Sequence, residues 1–447
     1  MASNNRGQFS SRLGFIMAAA GSAVGLGNVW GFPTKAAGNG GAAFLVIYLV
    51  MVFLLAYPML IAELTIGRYG QANPISSLRS IWKNNRFGAG FLGFIGLLTA
   101  AFILSFYSII AGWLVGYAGA PITELMGFNH LTNWLVTFGD TRNIVLAVLF
   151  SLITIFVVQK GVSDGIEKWS TRLMPLLFVL FGVMIAYIFT QDGAMEGLKM
   201  YLVPNLSHIN GGLLVDAMGQ AFFSMSLGCC SMMVYGSYLQ KDVNIPKTAA
   251  QVASIDTAVA FFAGLLILPA MFVAKNNGVE IFTEDGALKS SVDLVFAVLP
   301  SMFKTMGSIG IVLGCGFFIL MIIAALTSAI SLLEVPVAAA QDELGWNRKA
   351  ATWIIGGLIL LVSIVISLNF GALFGLVVDV TTVYMQPLLG AVWAVVVGWI
   401  WKRNNLLEEI KQGNPEIASS LFWRIWPWYV KFICPVAILM VFAYPHL

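Results

Sequence analysis

Gly21-Ser22-Ala23-Val24-Gly25-Leu26-Gly27-Asn28 lies midway along the first apolar run of the chain, and its reading decides the fold. It holds three glycines in seven residues, and each costs about 1 kcal/mol against Ala inside a helix. A later run carries a matching interruption, Ser224-Met225-Ser226-Leu227-Gly228-Cys229-Cys230, with polar Gln220 ahead of it. In hydrocarbon each unsatisfied N–H or C=O costs several kcal/mol, so unwound chain is tolerated there only where it lines a protein-enclosed or wet cavity. A glycine-lined packing face is the other reading of Gly21, Gly25 and Gly27, since small residues let helices approach. Asn28, Pro33 and the polar break of the later run weigh against packing alone.

Composition puts both runs in lipid. Of 447 residues, 59% are hydrophobic and 10% charged, where a soluble domain averages about 25% charged. Such a chain cannot cover itself with polar surface, and a lipid bilayer is its expected surroundings. The 13 Trp and 45 Gly agree, because Trp favours headgroup depth and Gly is commoner in membrane helices than in soluble ones. Four Cys, two of them adjacent at Cys229 and Cys230, make no zinc or disulfide pattern and read as small hydrophobes. A net charge of +3 is too small to suggest nucleic acid. Met1 to Gln8 is polar with no cleavable leader, so the first span is expected to be retained.

Crossing the bilayer as a helix takes about 20 apolar residues. Eleven runs qualify, at 12–38, 41–67, 88–119, 142–159, 166–190, 213–239, 246–274, 305–340, 350–369, 373–401 and 425–445. The expectation is an all-α polytopic protein with 11 transmembrane helices, multi-pass in the plasma (inner) membrane. With the N-terminus inside, the cytoplasmic segments hold 17 Lys and Arg and the outer ones 5 (Arg142, Lys199, Lys275, Lys289 and Lys304). That bias predicts a cytoplasmic N-terminus, and the odd span count leaves the C-terminus outside. In the long outer loop 275–304, the apolar residues of Ser291–Leu299 share one helical face, which predicts a short helix over the outer mouth.

The two interruptions correspond if 12–190 and 213–401 are two five-helix copies within a single domain spanning 1–447, with 425–445 an additional helix. Paired breaks in two halves mark the binding site of a secondary transporter. A broken helix offers N–H groups with a positive dipole end to an anion such as a carboxylate. Its other half offers carbonyls to a small hard cation, which oxygen ligands suit.

Arg12 to Pro33 (RLGFIMAAAGSAVGLGNVWGFP), Asn39 to Phe44 (NGGAAF), Pro58 with Glu63, and Gly67 to Gly70 (GRYG) resemble the neurotransmitter:sodium symporter family, in its bacterial amino acid transporter branch. So do Gln220 to Gly228 (QAFFSMSLG), Tyr235 to Tyr238 (YGSY), Ala324 to Ser328 (AALTS) and Asp342-Glu343. These motifs are ordered and spread over spans 1 to 8; spans 9 to 11 match more loosely. The resemblance implies an inverted five-plus-five helix repeat with broken helices 1 and 6. It also implies sodium-coupled symport of an amino acid by alternating access, with two Na+ and no organic cofactor.

The resemblance assigns Ala23, Asn28, Ser224 and Asp256 to a first sodium site, which the substrate carboxylate completes. It assigns Gly21, Val24, Ala324, Thr327 and Ser328 to a second. By themselves, Thr327 and Ser328 suit back-bonding to their own helix equally well. Tyr107 matches the tyrosine that holds the substrate carboxylate and closes the outer pathway, and Phe223 matches the aromatic lid. Ordinary core packing is the alternative for both. N–H groups near Leu26 and Gly27 complete the carboxylate grip, and carbonyls near Phe223 and Ser226 accept from the amine. Ala23 and Gly25 leave no acid beside the amine. The side-chain subsite (Ile103, Ser226, Cys229, Ala329 and Leu332) carries no charge, so a charged substrate would be stranded there at high cost. Neutral, mostly hydrophobic amino acids are the expected cargo. Asp256 is an intramembrane acid, expensive and hence functional by default. Its carboxylate would supply the negative charge that chloride supplies in animal members, so transport is expected to be chloride-independent.

Arg6 and Asp342 match the inner gate pair, with Tyr238 nearby; a solvated charge pair worth little is the alternative. At the outer gate the family's Arg is replaced by Gly31, facing an acid that matches Asp379. Lys35, one helical turn on, is expected to pair with Asp379, or else Tyr107 and Phe223 close the outer gate alone. Gly165 and Pro175 enclose nine residues of span five, and they weaken its first turn. That turn is expected to unwind and admit water to the second sodium site, unless Pro175 is a static kink. The rival functions are an amino-acid-binding membrane receptor or sensor on the same fold, an enzyme and a channel. His130, His208 and His446 belong to no catalytic constellation, and no charged rings suggest a pore.

Overall fold

The computed structural model describes residues 7–205, 207, 209–281 and 291–443. Its regular structure is helical, with no strand among the described residues. Helix starts are written into the sequence as asparagines. Asn73, Asn85, Asn210, Asn244 and Asn347 each accept a first-turn N–H on the side-chain oxygen at 2.9–3.0 Å, a cap worth about 1 kcal/mol.

The first span is a bent pair, α1 (Arg12–Ala23) and α2 (Gly27–Gly38), meeting at 54°. Next come α3 (Ala42–Gly70), the short α4 (Pro74–Ile81), α5 (Arg86–Leu125), α6 (Asp140–Val158) and α7 (Val162–Ile188). The sixth expected span is two short helices, α8 (Gly211–Ser224) and α9 (Ser231–Ser237). The rest is α10 (Ile245–Asn276), α11 (Leu294–Thr305), α12 (Gly307–Leu344), α13 (Arg348–Leu368), α14 (Phe370–Ile400), α15 (Arg403–Lys411) and α16 (Leu421–Ala443). Nine of these helices are long and apolar enough to cross a membrane among the described residues, and the bent pair makes ten. The expected eleventh does not add to that count, because the six-residue interruption Met225–Cys230 leaves α8 and α9 each too short.

Burial separates core from periphery. The most apolar stretch of α10 is 78% buried and that of α16 only 22%, so α10 runs through the middle and α16 faces outward. The expected helix at Ser291–Leu299 is present, continuing to Thr305. Phe296 anchors it against Trp30, Trp113 and Tyr117, with ring centroids at 5.7, 5.7 and 5.0 Å.

One buried ion pair ties the end of α3 to α15. Arg68 Nε donates to Glu409 Oε1 at 2.7 Å, with side chains 0% and 2% exposed. Arg68 also donates to the backbone oxygens of Lys241, Val243 and Glu409. Removing Arg68 should cost about 3 kcal/mol, the low end for a broken buried pair, since Glu409 keeps Lys241 Nζ at 3.1 Å. Arg68→Met is therefore expected to lower thermal stability by that amount, and the double change Arg68→Met/Glu409→Met to recover part of it. Melting in detergent checks this; a single variant as stable as the parent would show the pair to be idle.

Candidate functional site

Each interrupted span breaks for a local reason. Val24 is extended, with φ −65° and ψ 112°, which ends α1. The helix resumes π-wound over Gly27–Gly31. In the other break Ser226, Gly228 and Cys230 take φ of 50°, 86° and 65°, a left-handed region that costs a non-glycine residue about 1–2 kcal/mol. At Gly228 a Cβ would run into the Gln386 carbonyl. The Gly228 N–H donates instead to Glu63 Oε1, from α3, at 2.7 Å.

The residues assigned to a first ion site come together where α2, α8 and α10 meet. Asn28 Nδ2 donates to Ser224 Oγ and Asp256 Oδ1, both at 2.8 Å, and to the Asp256 carbonyl at 3.1 Å. Ser224 Oγ donates to Asp256 Oδ2 at 2.7 Å. All three side chains are buried. The Ala23 residue lines the adjoining cavity.

At the second site the two hydroxyls part company. Ser328 Oγ reaches across from α12 to the Ser22 and Val24 carbonyls at 3.1 and 3.0 Å. Thr327 Oγ1 back-bonds to the Ala324 and Ile323 carbonyls of its own helix at 3.0 and 3.2 Å. Its Cβ still lies 3.2 Å from where a Cβ of Gly21 would be, so Gly21 sets the approach of α1 to α12.

Between the two sites a cavity of about 40 Å³ is lined by Ala23, Gly25, Leu26, Gly27, Ile103, Tyr107, Phe223, Ser226, Cys229 and Leu332, together with Ser224, Ser328 and Gln386. Ala329 is buried but does not line it. Tyr107 OH accepts the Leu26 N–H at 3.2 Å, and the Phe223 ring covers Gly27, 3.1 Å from where its Cβ would be. Leu26, Gly27, Tyr107, Phe223 and Gln386 also line a vestibule of about 530 Å³. Tyr107 and Phe223 thus stand on the boundary between a small inner chamber and a large outer one.

The vestibule rim corrects one expectation. Lys35 pairs with Asp216 of α8 at 3.4 Å, not with Asp379. Lys35 and Asp216 both line the vestibule, whereas Asp379 is exposed at the start of a π-wound turn of α14 and lines no part of it. A Cβ at Gly31 would face Gln220 Oε1 at 3.6 Å, and Gln220 Nε2 donates to the Gly27 carbonyl at 2.7 Å.

At the opposite end, Arg6 lies outside the described residues. Asp342 accepts the Asn73 backbone N–H at 2.7 Å. Tyr238 OH donates to Glu334, which accepts from Arg348 Nη2 at 2.6 Å and Nη1 at 2.9 Å. Phe9 packs edge-on against Tyr235 and Tyr238 at 5.7 and 6.2 Å. The start of α7, where unwinding is expected, is π-wound from Val162 to Glu167. Glu167 there accepts from Ser10 N, Ser10 Oγ and Ser11 Oγ at 2.7, 2.7 and 3.0 Å. Glu334, Glu167 and Gln386 escape the sequence reading. The signal for Glu334 was available, since it is an acid inside an apolar span.

The sequence model of the sodium:neurotransmitter symporter family matches residues 6–140 and 126–446. An uncharacterized sodium-dependent transporter of Bacillus subtilis, YhdH, is 35% identical, covering 97% of this chain and 96% of its own. The sodium-dependent serotonin transporter of Drosophila melanogaster is 26% identical over 96% of this chain and 75% of its own. The crystal structure of MhsT in complex with L-phenylalanine superposes with a TM-score of 0.82 at 37% identity, covering 98% of this chain and 99% of that one.

Two outcomes follow from this geometry. A methyl at Gly25 would lie 2.5 Å from Ser328 Oγ and 3.0 Å from Tyr107 OH. Gly25→Ala is expected to weaken sodium binding at least tenfold, about 1.4 kcal/mol. A sodium titration read by thermal unfolding measures it, and an unchanged midpoint would count against Ser328 as an ion ligand. Lys35→Ala breaks only a half-exposed pair and should cost no more than about 1 kcal/mol of stability; a larger loss in the same melt would give Lys35 a structural role that its geometry does not.

Proposed function

The chain belongs to the sodium:neurotransmitter symporter family, and on that premise we propose that it is a sodium-coupled symporter importing neutral, mostly hydrophobic amino acids by alternating access. It is a multi-pass membrane protein of a transporter family, not an enzyme. The observation that carries the proposal is the meeting of two helix breaks around one cavity. One break presents the Ser22 and Val24 carbonyls, and the other brings Ser224 beside Asn28 and Asp256.

Sodium is cargo here. At the first site Asp256 and Ser224 supply oxygens, and turning the Asn28 amide about its own axis adds Oδ1 to that set. The carbonyl of Ala23 and the substrate carboxylate complete it. At the second site the carbonyls of Gly21, Val24 and Ala324 join the hydroxyls of Ser328 and Thr327, with Thr327 leaving its own helix. The substrate carboxylate takes the place of Tyr107 OH at the Leu26 N–H and accepts from that hydroxyl. Its amine donates to carbonyls near Phe223 and Ser226. Its side chain meets Ile103, Cys229 and Leu332, none of them charged, which supports neutral cargo. MhsT, 37% identical, holds L-phenylalanine, and an aromatic amino acid is within the class proposed. The fixed carboxylate of Asp256 supplies the negative charge near the first sodium, so chloride is not required.

The five-plus-five reading, 12–190 against 213–401 with 425–445 outside both, places the two breaks in corresponding elements. The excess of basic residues on the side of Arg68, Arg79 and Arg348 supports a cytoplasmic N-terminus and an outer C-terminus. In that orientation the vestibule of Lys35 and Asp216 faces outward. Release to the cytoplasm then takes Phe9 off Tyr235 and Tyr238 and Ser10 and Ser11 off Glu167, where Gly165 and Pro175 weaken the start of α7.

Purified protein in liposomes is expected to accumulate labelled leucine or phenylalanine when a sodium gradient is imposed inward. Uptake should vanish when potassium replaces sodium and persist when gluconate replaces chloride. Asp256→Asn should lose uptake more than about tenfold, the loss expected when an ion site gives up over ~1.4 kcal/mol. Accumulation without sodium sinks the symport reading, and a chloride requirement at neutral pH sinks the role given to Asp256.

A further inference from the structure

A second large cavity lies away from the transport path. It is a groove of about 620 Å³ between α4, α5, α12 and α13. One wall is a single face of α5, where Phe87, Phe91, Phe94, Leu98 and Phe102 are 85%, 55%, 48%, 37% and 40% exposed. Their spacing of three and four residues keeps them on one side of the helix. Across from them stand Ile355, Leu358 and Val362 of α13. In a bilayer such a trough is filled by hydrocarbon chains.

Its end near α4 is not apolar. The Arg79 guanidinium lies in the groove over Gly90, where a Cβ would stand 2.6 Å from Nε and 2.7 Å from Nη2. Only Nη1 is engaged, donating to Glu343 Oε2 at 3.2 Å. Among the described residues Nε and Nη2 donate to nothing; they lie against Gly90, and the side chain as a whole is 36% exposed. Glu343 is the one acid in the lining, and it is already held by Ser76, Asn73 and Arg79. Lys83 and Arg86 follow within seven residues, where the chain passes from α4 into α5; they lie outside the groove lining, exposed and with no ion-pair partner among the described residues. A guanidinium with unspent donors, followed in the chain by two exposed cations, suits a phosphodiester, and an apolar trough beside it takes an acyl chain.

We propose that the groove between α4, α5, α12 and α13 binds one anionic phospholipid, its phosphate on Arg79, Lys83 and Arg86 and an acyl chain along Phe87 to Phe102. In the orientation proposed above, this lipid belongs to the cytoplasmic leaflet, where juxtamembrane Lys and Arg recognise anionic headgroups. Glu343, which lines the groove and holds Arg79, is the sequence neighbour of Asp342.

The full-length protein in detergent is titrated with phosphatidylglycerol and with phosphatidylcholine of the same acyl chains, and bound lipid is counted by native mass spectrometry. Phosphatidylglycerol is expected to be held in preference. Arg79→Gln and the surface change Lys83→Gln should each weaken it about fivefold, the effect of one basic residue near a headgroup. Ala101→Trp, which fills the trough without touching a charge, should weaken retention of both lipids. Equal retention of the two lipids by the parent, or an undiminished preference in Lys83→Gln and Arg79→Gln together, overturns the site. Sodium-driven uptake by the same preparations reports on the symport reading separately, because lipid preference is read without transport.

Discussion

Two helices are interrupted inside the protein, and the peptide groups they release have to be satisfied without water. That constraint organises the centre of the molecule. Ser328 from α12 takes up the Ser22 and Val24 carbonyls, and Ser226 donates to Ser22 as well. Gln220 from α8 holds the Gly27 carbonyl. The N–H groups of Gly25 and Leu26 are met by Asn28 Oδ1 and Tyr107 OH at 3.1 and 3.2 Å, and that of Gly228 by Glu63. Each of these contacts stands in for a group that would otherwise cost several kcal/mol in a nonpolar interior. The partners come from α3, α5, α8 and α12, so the breaks are where the separate helices are joined.

A site built this way has partners to exchange. Under the function proposed, the side chains that satisfy the breaks are the ones that cations and a carboxylate would use, so binding would exchange partners without exposing bare peptide groups. Asn28 illustrates this. Its Oδ1 serves the backbone of its own break while its Nδ2 bridges Ser224 on α8 to Asp256 on α10. Turning that one amide changes contacts on three helices. Tyr107 likewise connects α2 to α5. Differential contacts of this kind are what a ligand needs if it is to shift a conformational equilibrium.

Much of this is legible in the residues, for reasons that also explain the misses. The break in the first span shows because glycines are dense there and Asn28 adjoins them. The break in the sixth shows only as a polar cluster. Its left-handed residues include Ser226 and Cys230, which carry no such preference by themselves and are held by their surroundings. Helix starts are legible through their asparagine caps. The partner of Lys35 is not, because helical spacing tells which way Lys35 faces but not which acid on another helix faces it. Asp216 sits on α8, brought there by the course of a chain that folds back over nearly two hundred residues. Ser328 does not back-bond but donates across to the Ser22 and Val24 carbonyls, partners its own helix cannot reveal; Thr327, its neighbour, adopts the back-bond.

The two ends of the path are closed with very different strength. At the vestibule rim Lys35 and Asp216 meet at 3.4 Å with side chains 41% and 46% exposed, a contact worth about 0.2–1 kcal/mol. At the other end Glu334, 0% exposed, is held by Arg348 and Tyr238, and breaking such a pair costs about 3–5 kcal/mol. That pair joins α12 to α13, however, and neither helix carries a break. The contacts just ahead of α1 are of another kind. Ser10 and Ser11 give the buried Glu167 three hydrogen bonds, each worth about 1.5–3 kcal/mol at a charged acceptor. Phe9 adds edge-on ring contacts of about 0.5–1.5 kcal/mol. Together they are no weaker than the Glu334 pair, so what sets α1 apart is the bend at Val24, which α12 and α13 lack. The break that brings Ser22, Val24 and Asn28 together is also the bend between α1 and α2, so under the function proposed losing the ions and opening the inner end would act on the same few peptide groups.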